Sequence, residues 1–410
     1  VDGVREYIFN QIEDDDLLDD KKVAEFLNIS TRQLYYLKKG ERDLTFRNLL
    51  QLTTLIDPQN YRDKMRRWCL SLNTTDCIKN TFEYAAVIRD TSLLADLVCH
   101  HKKTTGIISS YVKVYGFILD YMNDKIKFNE LGESLSKIRN VNDGPLRILL
   151  DIYRCIALLQ KRQFSNLISL ATDVEKRVYH LNNKSQLFIK ECYIYRLSEI
   201  LAHTHLYFNN LNQARHYATI LINANINKRV ESDSFYVIGM SYLLSDQKKC
   251  LKNLRKSIEL ATDLGDSVIK EIAEYNYNYA LLLMDLPINT DAHPALKAFE
   301  LFKKGKISYS EAMDRLVPLD DPDLLGYFET VGAARKENLY KKFHQYVAES
   351  NLFYATIIVR DLIRAGEDSG FLRSLINLSK DIEGKGEVLF EKDYISSFSN
   401  RGITRSRSIA

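Results

Sequence analysis

The chain has 410 residues, 45% hydrophobic and 27% charged, so it carries enough apolar surface for a packed core and is not disordered by composition; the length points to two units, or one domain plus a repeat array. A formal charge of +3 is near neutral, so any nucleic-acid partner has to be met by a local basic face. Six prolines and sixteen glycines are too few for the turns of a sheet protein this long, and charges break every apolar run short of the roughly 20 residues that span a bilayer, which argues for an all-α chain with no membrane segment.

Residues 1–60 read as a DNA-binding module. From Asp20 to Leu37 the text is DKKVAEFLNISTRQLYYL, where Ala24, Ile29, Leu34 and Leu37 take the interior positions of a helix-turn-helix. Asn28 stands at the turn, one of the few non-glycine residues that tolerate a left-handed backbone. Ser30 and Gln33 form an S-x-x-Q capping box, which sets the recognition helix at about Thr31 to Lys39, and Gly40 ends it. With Leu34 and Leu37 inward, the helical period turns Thr31, Arg32, Gln33 and Tyr36 outward as base-reading candidates. Arg32 suits guanine and Gln33 adenine, while Lys38, Lys39, Arg42 and Arg47 are candidate phosphate contacts. Thr45 is expected to cap a further helix carrying Leu49, Leu52 and Leu55. The plainer alternative is a solvated helix face, against which interior spacing, turn, cap and basic flank coincide. The acidic stretch EDDDLLDD, Glu13 to Asp20, is expected to lie away from DNA or to compete with phosphate.

Residues 61–380 read as a tetratricopeptide-like helical-repeat solenoid, helix pairs recurring at about 34 residues. In the clearest unit Ala214, Tyr217, Ala218 and Leu221 line one face, answered by Tyr236, Gly239, Leu243 and then Leu251, Leu254, Ile258 and Ala261. Other helices are expected at Thr81 to Val98, Ile107 to Tyr121, Leu146 to Gln160, Ser185 to Tyr207, Val268 to Met284, Asn338 to Glu349 and Leu352 to Arg364, with the segments Pro287 to Pro294 and Pro318 to Pro322 as breaks. Such arrays present an extended concave surface suited to peptides or proteins. Residues 381–410 read as a frayed or partner-dependent tail.

Enzyme chemistry finds no foothold: no glycine-rich phosphate loop, H-E-x-x-H or nucleophile elbow is present, and the adjacent rings of His100 and His101 diverge on a helix, so no catalytic residue, metal or cofactor is expected. Cys69, Cys77, Cys99, Cys155, Cys192 and Cys250 lack paired spacing and, with no signal-type opening, suit reduced core thiols in a cytoplasm.

In this order WCLSLNTTDCIKNTFEYAAVIRD from Trp68, YVKVYGFILDYMNDKI from Tyr111, the RHYATILINANINKRVESDSFYVIGMSYLLS block from Arg215 and GYFETVGAARKENLYKKFHQYVAESN from Gly326 resemble the arbitrium receptors, the AimR family of peptide-sensing regulators in temperate phages of bacilli. The resemblance implies a homodimeric transcriptional regulator in the bacterial host cytoplasm, whose repeat body binds a short signalling peptide and thereby changes its hold on a double-stranded operator, controlling lysis against lysogeny. Family peptide contacts fall on His203, Arg229, Val237 and Met240; Arg229 matches, whereas His203 and Met240 replace a frequent asparagine. A guanidinium at Arg229 can clamp a free peptide carboxylate, and Asn209 and Asn278 can pair with peptide backbone, although each also suits a cap or turn. A dimer would favour an inverted-repeat operator. The alternative keeps the DNA module and has the repeats dock a protein partner.

Overall fold

The computed structural model describes residues 2–319, 321–332, 336–367, 369–379 and 395–398. Every regular element among them is helical. The first group is α1 (Asp2–Glu13), α2 (Asp20–Leu27), α3 (Thr31–Lys39), α4 (Phe46–Ile56), α5 (Tyr61–Cys69), α6 (Thr75–Val87), α7 (Thr91–His100) and α8 (Ile107–Met122). The middle of the chain supplies α9 (Leu131–Ser136), α10 (Gly144–Gln160), α11 (Phe164–Tyr179), α12 (Leu187–Tyr207), α13 (Leu211–Ala224), α14 (Lys228–Met240), α15 (Gln247–Asp263) and α16 (Ser267–Leu283). The last are α17 (Pro294–Lys303), α18 (Tyr309–Leu316), α19 (Pro322–Gly332), α20 (Lys336–Ala348), α21 (Leu352–Arg364) and α22 (Gly370–Leu375).

Local chemistry explains where these helices begin and stop. Side-chain oxygens of Asp19, Ser30, Thr45, Thr74, Asp90, Asp143, Asp246, Asp266 and Ser308 each accept an amide of the following first turn, satisfying donors that have no partner inside the helix. Glycine is scarce, and the left-handed residues that turn the chain include Asn28, Arg89, Asn209, Asn225 and Asp285. The span 81–98, expected as one helix, is two: Arg89 at φ 60° breaks it, and Asp90 caps α7 by accepting the Leu93 amide at 2.8 Å.

Consecutive helices pack as pairs, and α12 runs through the middle against α6, α10, α11, α13, α14 and α21. It is buried nearly all round, which is why its apolar residues do not segregate to one stripe. Gly239 shows why a small residue stands in α14: a Cβ there would lie 2.8 Å from Leu254 Cγ and 3.2 Å from the Cys250 carbonyl of α15.

The N-terminal helices are not a separate globule. α1 buries Ile8, Phe9 and Ile12 and packs on α3 and α4. Phe46 of α4 in turn meets Tyr84 of α6 at 5.6 Å and Phe188 of α12 at 4.9 Å between ring centroids, so one apolar core runs from α1 into the body. Of the expected 381–410 tail, all but residues 395–398 lies outside the described residues.

Candidate functional site

Two surfaces carry the expected site residues. The first is α3. Asn28 is left-handed at φ 53°, Ser30 Oγ accepts the Gln33 amide at 3.2 Å, and Gln33 Oε1 accepts the Ser30 amide at 3.0 Å, so the turn and capping box are formed. Leu34 and Leu37 are buried, Ala24 with them, and Ile29 half-buried. Thr31, Arg32 and Lys39 are exposed, as is Arg42 just beyond the helix. Arg32 Nε donates to the Tyr36 hydroxyl at 3.1 Å, so those side chains form one exposed unit. Tyr35 is 52% exposed beside them and edge-on to Tyr36; the sequence reading did not single it out.

Three of the expected DNA contacts are differently employed. Gln33 spends its carbonyl oxygen on the capping box, leaving only its amide N–H groups for a base, which is half of the two-point pairing adenine needs. Lys38 lies 2.6 Å from Asp20 and 3.5 Å from Glu13 over the Phe9 ring, so its charge is already neutralised. The acidic stretch therefore sits beside α3 and clamps this lysine instead of lying apart. Arg47 points inward, bonded to Gln51, Ser396 and Ser397 and 3.6 Å from buried Glu191, which removes it from the phosphate-facing set in this arrangement.

The second surface is a cleft of about 220 Å³ where the C-terminal half of α12 meets the start of α14, the Arg89 turn and α16. α14 presents Arg229, Asp233 and Tyr236 along one face, and α12 presents Glu199. His203, one turn after Glu199, reaches in to hold Asp233 at 2.6 Å, and its ring lies 6.2 Å from that of Tyr236. Burial opposes charge on both His203 and Asp233, yet their mutual attraction and hydrogen bond prevail, holding His203 above the ordinary imidazole value and Asp233 below the usual carboxylate value. Arg89 pairs with Glu199 at 2.7 Å. Arg229 is exposed and, among the described residues, its guanidinium has no hydrogen-bond partner; opposite stand Ile269, Ile272 and Ala273 of α16. The cleft thus offers an exposed cation, a paired polar floor and an apolar wall.

The other expected peptide contacts are not brought here. Val237 and Met240 are 0% and 1% exposed, packed in the core. Asn278 is buried as well, its amide donating to the Glu274 carbonyl and its oxygen accepting the Asn289 amide at 2.9 Å, which fixes the loop after α16. Asn209 is a left-handed turn residue after α12, and its side chain donates to the Leu378 carbonyl at 2.9 Å. Glu199 and Asp233 escaped the sequence reading and Tyr236 entered it only as a packing residue, although the four-residue spacings Glu199 to His203 and Arg229 to Asp233 place each pair on one helix face.

Among the described residues no three metal-ligating side chains converge, and no helix is long and apolar enough to cross a membrane.

A family profile described as AimR transcriptional regulator-like matches residues 62–364. Among solved structures, selenomethionine phAimR is 18% identical, with 91% of this chain and 100% of that one covered at a TM-score of 0.60. The structure titled phAimR-Ligand is likewise 18% identical, covering 79% of this chain and 98% of that one at a TM-score of 0.64. At such identity the likeness is one of fold. No curated protein sequence matches the chain.

Proposed function

Starting from the fact that this chain belongs to the AimR transcriptional regulator-like family, a family of regulators and not of enzymes, we propose that it is a peptide-responsive DNA-binding regulator of the phage choice between lysis and lysogeny. In this reading residues 1–60 hold a double-stranded operator through Thr31, Arg32, Tyr36, Lys39 and Arg42, and the repeat body senses a short peptide and pairs two copies on an inverted repeat. The match to a structure titled phAimR-Ligand favours a ligand for this fold, and the peptide is the kind of ligand the Arg229 cleft suits.

The observation that carries the proposal is the exposed Arg229 guanidinium, which has no hydrogen-bond partner among the described residues, in a cleft lined also by apolar Ile269, Ile272 and Ala273. A peptide's C-terminal carboxylate can take two charge-assisted hydrogen bonds from it while apolar side chains cover Ile272, which is 49% exposed. Peptide bound there touches α12 and α14 together, and α12 packs on α6, which meets α4 through Tyr84 and Phe46. That is the physical route by which occupancy reaches the DNA-facing helices.

The test is an operator-shift titration with and without the short peptide encoded beside the gene, run on the native chain and on Arg229→Ala. Native protein should change its operator affinity or geometry with peptide, and the variant should keep operator binding and lose the response. Identical peptide affinity in both would remove Arg229 from the site, and a native chain indifferent to peptide would reject the switch. A second reading, a docked protein partner, draws on the exposed Ile272 in the cleft and on exposed Leu264 and Val268 near it in sequence. Stable capture of a protein with no peptide-induced thermal shift would favour it.

A further inference from the structure

Residues 395–398, Ile-Ser-Ser-Phe, lie against α4, α6 and α12, and the hydrogen bond from Arg47 to Ser397 spans 350 positions of chain. The centre of this contact is Glu191 of α12, only 1% exposed. A carboxylate so far from water needs its lone pairs filled by protein. Here the fillers are the Ser397 amide at 3.0 Å, the Ser396 hydroxyl at 3.1 Å and the Ser396 amide at 3.4 Å. Arg47 of α4 closes the other side, donating from Nη2 to Ser396 Oγ at 2.6 Å and from Nε to Ser397 Oγ at 3.0 Å. Ser396 Oγ is thereby used in both directions, accepting from the cation and donating to the anion.

Beyond this polar centre the contact is aromatic. The Phe398 ring lies parallel to Tyr84 at 5° and 6.2 Å, and 5.8 Å from Phe188. Ile395 and Phe398 are 4% and 7% exposed, close to core residues. The cleft therefore has a defined reading frame: an aliphatic residue, two small residues offering amides and hydroxyls to an acid and a base, then a ring. A charged side chain at either serine position would face one like charge, Glu191 or Arg47, at hydrogen-bond range.

We propose that the cleft between α4, α6 and α12 is a second recognition site, separate from the Arg229 cleft, for an uncharged aliphatic-Ser-Ser-aromatic segment, and that its resident ligand is residues 395–398 of the same chain. Seating this segment joins α4 of the DNA-facing helices to α12 of the body through Arg47 and Glu191, so the site is also a latch between them. The assignment stands on these contacts alone and does not depend on which ligand fills the Arg229 cleft.

The test uses the full-length chain and the tail variants Phe398→Ala and Ser397→Pro, which change the ligand and leave the body's core sequence intact. In hydrogen exchange the Ser397 amide of the native chain should exchange at least about tenfold more slowly than in Phe398→Ala. A fluorescently labelled, capped Ile-Ser-Ser-Phe peptide should bind both variants at least about tenfold more tightly than it binds the native chain, since a segment seated nine-tenths of the time lowers apparent affinity by that factor. Adding Glu191→Gln to Ser397→Pro should abolish the gain while circular dichroism shows the helices intact. A Ser397 amide equally fast in the native chain, or equal peptide binding by native and variant chains, would overturn the proposal. Restored protection when a Phe398→Ala chain is mixed with a Glu191→Gln chain would overturn the same-chain occupant in favour of a second copy's tail.

Discussion

His203 and His205 are two positions apart on α12 and respond to their surroundings in opposite ways. His203 gains a carboxylate partner that raises it above the ordinary imidazole value, whereas His205, 6% exposed and stacked on Tyr217 at 5.4 Å, is pushed down to about 4 by burial and by His216. A histidine whose folded value is depressed contributes stability above the unfolded value near 6.5 and loses it as pH falls toward 4. The gap corresponds to roughly 3 kcal/mol across that interval, and the contribution of His203, whose folded value is raised, is already nearly complete below about 6.5, so it does not offset the loss. We predict that denaturant midpoints fall between pH 6.5 and pH 4 and that His205→Gln flattens much of this slope; an unchanged slope would place the acid sensitivity elsewhere. His203 acts in the other direction, its contribution fading only as pH rises past the imidazole range. In the DNA-binding role proposed for α3, Arg32→Ala should cost about 1 to 3 kcal/mol and relax preference at one base position, measured by operator-variant titration. A loss equal on all sequences would recast Arg32 as a phosphate contact.

Between elements, one close approach to a helix backbone is at Gly239, where α14 meets Leu254 and the Cys250 carbonyl of α15. Gly239→Ala should destabilise the chain by about 1 to 3 kcal/mol through overpacking, despite alanine's better helix propensity, and chemical denaturation checks the sign. A stabilised variant would mean that α15 yields easily. Much at this scale was legible beforehand. Ser30 and Gly40 bracket α3 with residues whose backbone preferences are strong, so Thr31–Lys39 follows from the sequence to the residue. The break inside 81–98 was not legible, because arginine is a poor advertisement for a left-handed turn and apolar periodicity runs across it. Arg229 and Met240 share an α14 face by helical period, but depth along that face depends on which helices cross it, a tertiary matter. Hence Arg229 lines the cleft while Val237 and Met240 lie in the core.

At the scale of the whole molecule, the aromatic contact of Phe46 with Tyr84 and Phe188 makes the helix-turn-helix and the repeats share one core. Unfolding should accordingly be concerted: Trp68 fluorescence and far-ultraviolet circular dichroism should report the same midpoint, and Phe46→Ala, at a cost of about 3 to 5 kcal/mol, should lower both together. Early loss of the N-terminal helices alone in that variant would show instead that the interface is an add-on to two independent units.

The clamp that Glu13 and Asp20 place on Lys38 bears on how such a molecule searches a chromosome. Each phosphate neutralised by a cation releases counterions, and this release supplies nearly all attraction to arbitrary sequence. In the DNA-binding role proposed for α3, keeping one lysine occupied internally would give up part of that indiscriminate attraction and leave a larger fraction of the discrimination to Arg32 and its neighbours. Fewer molecules would then be stored along irrelevant DNA, and a small number of copies would suffice to find and vacate an operator promptly.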